Sequence, residues 1–264
     1  MAKILITGAS SGIGATYADR LSAAGHDLIL VARDRAKLEA LAEKLGARDG
    51  TRIEILPADL AVPADLRDVE RRLLNDGIDT LINNAGVSVG GAFESADPDR
   101  LEHLIDLNIT AVTRLAAAAA AAFTARGHGT IVNIGSVTAL LPERFEPTYL
   151  ASKAYVLAFS QALAAQLADK GVRVQAVLPG ATRTEIWAKS GVDVDSLPAG
   201  MVMGVEDMVD AALAGLAQGE TVTIPALPDA ADWQAFETAR LNLAPNLSRD
   251  RAADRYRSAR VIAA

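Results

Sequence analysis

The sequence contains no cysteine, and only 4% of its 264 residues are aromatic. Without cysteine the chain forms no disulfide, no thiolate metal site and no cysteine nucleophile. Its three histidines, His26, His103 and His128, match no metal-ligand spacing. Each is therefore expected to be a surface or packing residue, and no metal is expected. Lys and Arg total 26 against 33 Asp and Glu, a negative balance that disfavours sequence-independent nucleic-acid binding.

Long uninterrupted apolar runs are also missing from the sequence. None approaches the roughly 18 residues that a membrane-spanning helix requires. The first residues, MAKILITGASSGIG, hold an apolar stretch that is too short for a secretion signal and that leads at once into a glycine-rich segment. These observations predict a soluble cytoplasmic protein without a membrane partner.

Short apolar segments alternate with segments of helical periodicity along most of the chain. Near-continuous apolar character is typical of strands buried on both faces of a parallel sheet. Seven strands are predicted, at 3–7, 27–32, 52–56, 79–82, 130–135, 173–178 and 221–225. Helices are predicted at 12–24, 34–47, 63–76, 98–126, 148–169 and 205–217. This order predicts an α/β fold, a doubly wound, seven-stranded parallel sheet with helices on both faces.

The residues after 225 leave this alternation and have the pattern of a helical C-terminal extension. Asp229 is a suitable N-cap, and Trp233, Phe236 and Leu243 share one helical face. Such an apolar stripe requires a surface to pack on.

Two surfaces are open to this extension, one beside the strand at 221–225 and one over the segment 185–200. We favour the first, because the extension leaves directly from that strand. A second helix is predicted from a Ser248 cap to about Ser258.

A glycine-rich segment, 7–14, connects the first predicted strand to the first helix. Glycine permits a tight turn and a close approach of the backbone to a pyrophosphate, which the free N–H groups at the helix start stabilise. The segment therefore predicts a dinucleotide site. Its expected contacts are Gly8, Ser10, Ser11, Gly12, Ile13 and Gly14.

The end of the second strand indicates which dinucleotide binds. A ribose 2′-hydroxyl is usually held by an acidic residue about 20 positions after the glycine loop, whereas a 2′-phosphate requires arginine. Here Ala32 takes the acidic position and Arg33 follows it. A guanidinium binds phosphate through two hydrogen bonds, and Arg35 and Lys37 add positive charge. Asp34 is expected to face away as a helix cap, so the sequence predicts NADP(H) rather than NAD(H).

A phenol and an ammonium group occur four residues apart, at Tyr149 and Lys153, where a helix would place them on one face. A nearby ammonium lowers the pKa of a phenol, which at its ordinary value of about 10 is a poor acid–base group at neutral pH. Ser136 follows a predicted strand, at the edge where open α/β sheets bind ligands. Its hydroxyl is placed to hydrogen-bond a carbonyl oxygen. Asn108 lies in the long predicted helix.

Together these segments resemble the short-chain dehydrogenase/reductase family, in its compact single-domain branch. The resemblance covers about residues 3–225 and implies a Rossmann-type dinucleotide-binding and catalytic domain over 1–225, with 226–264 as a helical extension of the same domain. The motifs that carry it stand in family order: TGASSGIG at 7–14, Asp59-Leu60, NNAG at 83–86, Asn108, Ser136, YLASK at 149–153, and Pro179-Gly180 followed by Thr182 and Thr184.

The resemblance also implies roles for these residues. Tyr149 is implied as the general acid in carbonyl reduction and the base in alcohol oxidation, with Lys153 lowering its pKa and binding the nicotinamide ribose. Ser136 polarises the substrate oxygen, and Asn108 shapes its helix and holds a water that relays protons towards Lys153. Further implied cofactor contacts are Asp59 and Leu60 at the adenine, Asn84 with Ala85 and Gly86 beside the adenosine, and Thr182 and Thr184 near the nicotinamide amide. Asn83 is expected to brace the sheet.

The first functional hypothesis is an NADPH-dependent reductase of ketones or aldehydes that runs in reverse as an alcohol dehydrogenase. One alternative is a reductase of carrier-bound 3-oxoacyl groups. Its candidate docking surface is the stretch 249–260, with five Arg and two Asp. Another alternative is a non-catalytic dinucleotide sensor, which the complete catalytic set disfavours.

The predicted substrate pocket has mostly apolar walls, at 87–93, at 137–146 and at 181–200 with Ile186 and Trp187. Glu143, Arg144 and Glu146 are expected near its mouth. These walls indicate a small-molecule substrate that is a fairly apolar ketone or aldehyde.

Two helices, one containing Ala116–Ala122 and one at 148–169, are apolar on more than one face. A helix that is apolar beyond one stripe requires a second partner. With the family resemblance, this predicts a homodimer or homotetramer.

Overall fold

The computed structural model describes residues 1–144, 146–185, 193–198 and 200–257, without the side chain of Arg144. The chain forms two compact units, Met1–Ala226 and Leu227–Ala264. In the first unit, seven strands form one sheet of order β3-β2-β1-β4-β5-β6-β7, in which every neighbouring pair is parallel. The strands are β1 Lys3–Thr7, β2 Asp27–Ala32, β3 Ile53–Pro57, β4 Thr80–Asn83, β5 Gly129–Ile134, β6 Val172–Val177 and β7 Val222–Thr223. The predicted fold class is confirmed.

The helices of this unit follow the predicted order, and their bounds agree to within two residues outside the stretch 98–126. They are α1 Gly12–Ala23, α2 Arg35–Asp49, α3 Pro63–Asn75, α4 Pro98–Ile105, α5 Val112–Arg126, α6 Pro147–Leu167 and α7 Val205–Ala217. Helix α2 continues to Asp49 because the residue that ends it is Gly50, whose φ of 68° is left-handed.

The stretch predicted as one regular helix, 98–126, is interrupted by a π-helical turn at Asp106–Ala111. Among the described residues it is also the one stretch whose length and composition would allow it to cross a membrane. Core helices pass the same test, and Leu115, Ala119 and Phe123 of α5 are fully buried in the core. The π turn was not predicted, and it carries Asn108.

The core lies on both faces of the sheet. Leu5 of β1 belongs to a cluster with residues of α3 and α5, whereas its neighbours Ile4 and Ile6 belong to a cluster with residues of α1, α2 and α7. This alternation follows from the two-residue period of a strand. It explains why the strands read as continuous apolar runs.

The second unit contains helix α8, Ala230–Leu241, and a short helix α9, Asp254–Arg257. Asp229 caps α8 as predicted, because its carboxylate accepts a hydrogen bond of 2.8 Å from the Ala231 N–H. The Trp233 and Phe236 rings stack with centroids 5.3 Å apart.

The prediction of a second long helix from Ser248 is wrong, since α9 begins only at Asp254 and Ser258 lies outside the described residues. The segment 248–258 offers almost no apolar face, and a helix of that length without burial is marginal in water. Where this unit packs stays a prediction.

Candidate active site

The carboxyl ends of the parallel strands bring most of the predicted site residues to one edge of the sheet. Gly8 follows β1, Arg33 follows β2, and Asn84 and Ser136 follow β4 and β5. The strand order runs outward in both directions from β1, so the connections after β1 and β4 leave on opposite sides. A crevice forms at such a point, and open α/β sheets bind their ligands there.

The glycine loop has a geometry that other residues would not permit. Gly8 and Gly12 have φ values of 65° and 52°. A Cβ on Gly14 would lie 2.4 Å from the Gly8 carbonyl oxygen, and one on Gly8 would lie 2.7 Å from the Asn84 Nδ2. Ser11, the N-cap of α1, makes no side-chain cap hydrogen bond. The loop therefore presents bare backbone and an uncapped helix start, as a pyrophosphate requires.

Asn84 braces this loop. Its Nδ2 donates to the main-chain oxygens of Thr7 (2.9 Å) and Gly8 (3.2 Å). The two residues that follow it, Ala85 and Gly86, line a cavity beside the loop, whereas Asn84 itself does not. Asn83 braces the sheet as expected, since its Nδ2 donates to the Asn133 Oδ1 at 3.0 Å.

A cavity of about 430 Å³ lies beside the loop. Its lining includes Asp59, Leu60, Ala85 and Gly86, which were expected at the adenine and beside the adenosine, together with Gly8, Ala32 and Arg33. Helix α4 and the start of the π turn supply a further wall that was not predicted, made of Asp99, Arg100, His103 and Leu107. His103 was expected to be a surface or packing residue, and it packs on the wall of this cavity. In the sequence these residues recur at intervals of about one helical turn, and this spacing could have indicated that they share one face of the helix.

Arg33 stands at the open side of this cavity, with 63% of its side chain exposed and its Nη1 3.7 Å from the Asp59 Oδ2. An exposed ion pair of this kind contributes about 0–1 kcal/mol. An anion that binds the guanidinium more tightly can therefore displace Asp59. Asp34 is the N-cap of α2, as expected, and accepts a hydrogen bond from the Lys37 N–H at 3.0 Å. The Lys37 ammonium pairs with Glu185 at 3.3 Å.

Tyr149 and Lys153 lie one turn apart on α6, and both side chains are turned into the protein. Burial raises the pKa of Tyr149, and a hydrogen bond with Ser136 acts in the opposite direction. Burial lowers the pKa of Lys153 to about 8. The Lys153 Nζ donates to the Ile134 carbonyl at 3.0 Å and lies 5.7 Å from the centre of the Tyr149 ring. The expected lowering of the Tyr149 pKa is therefore wrong for this arrangement, because burial is the largest effect on it and raises it.

Asn108 is buried within the π turn, and protein groups occupy its carboxamide. Its Oδ1 accepts from the Val87 N–H, and its Nδ2 donates to the Val87 carbonyl, each at 2.9 Å. The Nδ2 also lies 3.1 Å from the Ser152 Oγ. Asn108 therefore joins the segment after β4 to the helix of Tyr149. The expected water relay towards Lys153 stays a prediction.

Gly86 leaves room for this group of side chains. A Cβ at that position would lie 3.1 Å from the Asn108 Oδ1 and 3.6 Å from the Lys153 Nζ.

Thr182 lies in the segment after β6. It is buried, and its hydroxyl donates to the Gly180 carbonyl at 3.1 Å. Thr184 contacts the glycine loop, since a Cβ on Gly12 would lie 3.2 Å from it.

The structure describes the predicted substrate pocket only in part. Ile186 and Trp187 lie outside the described residues. The carboxylate of Glu146 caps α6, and the expected place of Glu146 near the pocket mouth stays a prediction.

Comparisons with known proteins agree with this geometry. Residues 2–195 match the family described as short chain dehydrogenase. A short-chain dehydrogenase from Sphingobium yanoikuyae, solved in complex with NADPH, is 52% identical, with a TM-score of 0.94 over 97% of this chain and 100% of that chain. Its cofactor is the one predicted from the sequence of this chain.

Two further relatives differ in substrate. The bulky-bulky ketone specific alcohol dehydrogenase from Comamonas testosteroni is 46% identical, with a TM-score of 0.90 over 97% of this chain and 98% of that one. The 3-oxoacyl-(acyl-carrier-protein) reductase of Escherichia coli is 30% identical over 83% of this chain and 91% of its own. The matched family, the fold and the residues gathered at the sheet edge lead to one conclusion: the chain belongs to the short-chain dehydrogenase family of oxidoreductases.

Proposed function

We propose that the chain is an NADPH-dependent carbonyl reductase that reduces a ketone or aldehyde to an alcohol and also runs in reverse. The observation that carries this proposal is the grouping of three side chains: Lys153, whose buried Nζ lies 5.7 Å from the centre of the Tyr149 ring, Tyr149 itself, and Ser136, which acts on the pKa of Tyr149. A dinucleotide sensor would require the loop and the cavity but no proton donor.

The residues present fit NADPH. The glycine loop leaves space that side chains would otherwise fill, and the start of α1 has no side-chain cap. Both features suit the binding of a pyrophosphate. Ala32 and Arg33 line the adjoining cavity where a 2′-phosphate would lie. We assign cofactor contacts to the residues predicted from the sequence: Gly8, Ser10, Ser11, Gly12, Ile13, Gly14, Arg33, Asp59, Leu60, Asn84, Tyr149, Lys153 and Thr182.

When bound, NADPH supplies the hydride that the carbonyl carbon of the substrate receives. Tyr149, whose raised pKa keeps it protonated at neutral pH, donates its proton to the carbonyl oxygen. Ser136 hydrogen-bonds the same oxygen and orients it. With a pKa of about 8, Lys153 is protonated in about ten molecules for each neutral one at pH 7. Its positive charge stabilises the phenolate that remains.

The substrate we propose is an apolar ketone with large substituents. Phe93 and Leu141, in two of the predicted wall segments, are 55% and 44% exposed. Apolar surface of this kind, next to a site that must exclude water, favours an apolar ligand. The similarity to the alcohol dehydrogenase from Comamonas testosteroni supports the same class.

The test is a turnover assay with NADPH and NADH in parallel, on aryl ketones, a small ketone such as acetone, and a 3-oxoacyl thioester. We expect oxidation of NADPH with the aryl ketones and much slower reaction with acetone. Preference for the thioester would favour the carrier-bound alternative, which the Escherichia coli relative supports. Tight NADPH binding without turnover of any carbonyl would favour the sensor.

We also propose that the protein is a homodimer or homotetramer formed through α5 and α6. Between Lys153 and Ala168 helix α6 has no charged residue, and Ala158, Ala162 and Ala165 on it are exposed. A helix of this composition is rarely left in water. Light scattering at micromolar concentration should give twice or four times the chain mass, and a monomer would contradict the proposal.

A further inference from the structure

Glu146 is the residue immediately before α6, and its carboxylate is bound to the start of that helix. The Oε1 accepts a hydrogen bond from the Thr148 N–H at 3.0 Å, and the Oε2 accepts one from the Tyr149 N–H at 2.7 Å. Its carbonyl oxygen accepts a third, from the Leu150 N–H at 3.1 Å. Pro147, which has no N–H, occupies the first helical position. Glu146 therefore satisfies the next three N–H groups of α6.

The carbonyl of Tyr149 is held as well. It accepts a hydrogen bond of 2.6 Å from the Ser152 hydroxyl, whose oxygen lies 3.1 Å from the Asn108 Nδ2. The N–H of Tyr149 is bound by Glu146 and its carbonyl by Ser152, so both main-chain polar groups of this residue have side-chain partners. Few residues in the first turn of a helix are fixed in this way, because N-caps usually bind a single N–H through a shorter side chain.

This main-chain anchoring matters because the Tyr149 phenol must meet a partner on another element. Ser136 belongs to the segment after β5, whereas Tyr149 belongs to the first turn of α6. The ends of helices fray, and their first N–H groups have no partner within the helix. A displacement of about 1 Å in a reacting group can lower a rate about 100-fold. The first turn of α6 therefore requires an anchor of its own.

We propose that Glu146 is a positioning residue that fixes the Tyr149 phenol against Ser136 by clamping the first turn of α6. It acts through the main chain of Tyr149 and touches neither substrate nor cofactor. The inference rests on the proposed function, since it assigns Tyr149 the role of proton donor.

Glu146→Ala tests the proposal. The expected result is a kcat about 10- to 100-fold below that of the wild type, with the Kd for NADPH and the KM for the ketone within about threefold. Glu146→Asp should recover most of the lost kcat, because aspartate is a favoured N-cap. Glu146→Gln should give an intermediate kcat, because an amide offers one acceptor oxygen in place of two. The pH profile of kcat should be the same in Glu146→Gln as in the wild type, since the role is geometric.

Asp27→Ala is the matched control. Its carboxylate accepts a hydrogen bond of 3.0 Å from the Arg52 N–H at the opposite edge of the sheet. This variant should lower the melting temperature and leave kcat unchanged. A Glu146→Ala protein that loses melting temperature but keeps the wild-type kcat would overturn the proposal, as would failure of Glu146→Asp to recover activity. A wild type without turnover would overturn the proposed function and this inference together, so the two failures are distinguishable.

Discussion

Tyr149→Phe should retain less than about 1% of the wild-type turnover, while its Kd for NADPH stays within a few fold. The phenol supplies the proton for the substrate oxygen, and general acid catalysis contributes about 10²- to 10⁴-fold. The ring itself only packs, and phenylalanine fills the same space. A rate assay with the best ketone and a fluorescence titration with NADPH measure the two quantities separately.

Tyr155→Phe is the control for this experiment. Tyr155 lies on the same helix, its hydroxyl is 2.7 Å from the Thr113 hydroxyl, and its ring stacks on Phe159. Removing its hydroxyl costs one hydrogen bond, about 1 kcal/mol of stability, and should leave turnover unchanged. Activity of Tyr149→Phe above about 1% of the wild type would contradict the assignment of Tyr149 as the acid.

Arg33→Ala should weaken NADPH binding about 10- to 100-fold and change NADH binding by less than threefold. A hydrogen bond between a guanidinium and a phosphate contributes about 1.5–3 kcal/mol, which corresponds to that range of affinity. The competing contact with Asp59, at 3.7 Å and largely exposed, is too weak to hold the guanidinium back. Titrations of the wild type and of Arg33→Ala with NADPH and with NADH measure this selectivity directly.

Arg35→Ala is the comparison, because it removes the same charge two residues further along. The Arg35 Nη1 pairs with the Glu39 Oε1 at 3.6 Å on the outer face of α2. Its loss should cost at most a few fold for either cofactor. Equal kcat/KM for NADH and NADPH in the wild-type enzyme would contradict the assignment of Arg33.

The fold was predictable because the sequence carries its signals in short segments. The apolar strands, the Asp34 and Asp229 caps and the glycine loop each act through neighbours that are close in sequence. Tyr149 and Lys153 were found in the same way, from a spacing of one helical turn. The contact between Asn108 and Val87, by contrast, joins residues from different elements, and no local pattern predicts it.

The features of the site that the sequence did not reveal have a common physical cause. The pKa of Tyr149 depends on burial by residues far away in sequence, and burial raises it. His103 was expected to be a surface or packing residue, and its place on the cavity wall follows from the path of α4. Glu146 was expected near the pocket mouth, and its hydrogen bonds to two N–H groups of the next helix were not predicted. In each case tertiary structure decided the role.

The π turn at Asp106–Ala111 also restricts how the chain length can vary. A π turn holds one residue more than the matching α-helical turn, so it acts as a built-in insertion between α4 and α5. Each residue of an α-helix corresponds to about 100° of rotation, and the wider π turn absorbs the rotation of its extra residue. Deleting one residue would therefore restore regular hydrogen bonding and leave α5 facing the core. The deletion would instead move Asn108 relative to Val87 and Ser152, the residues that bind its carboxamide. A single-residue deletion in this turn should therefore preserve the packing of α5 and disturb the active site.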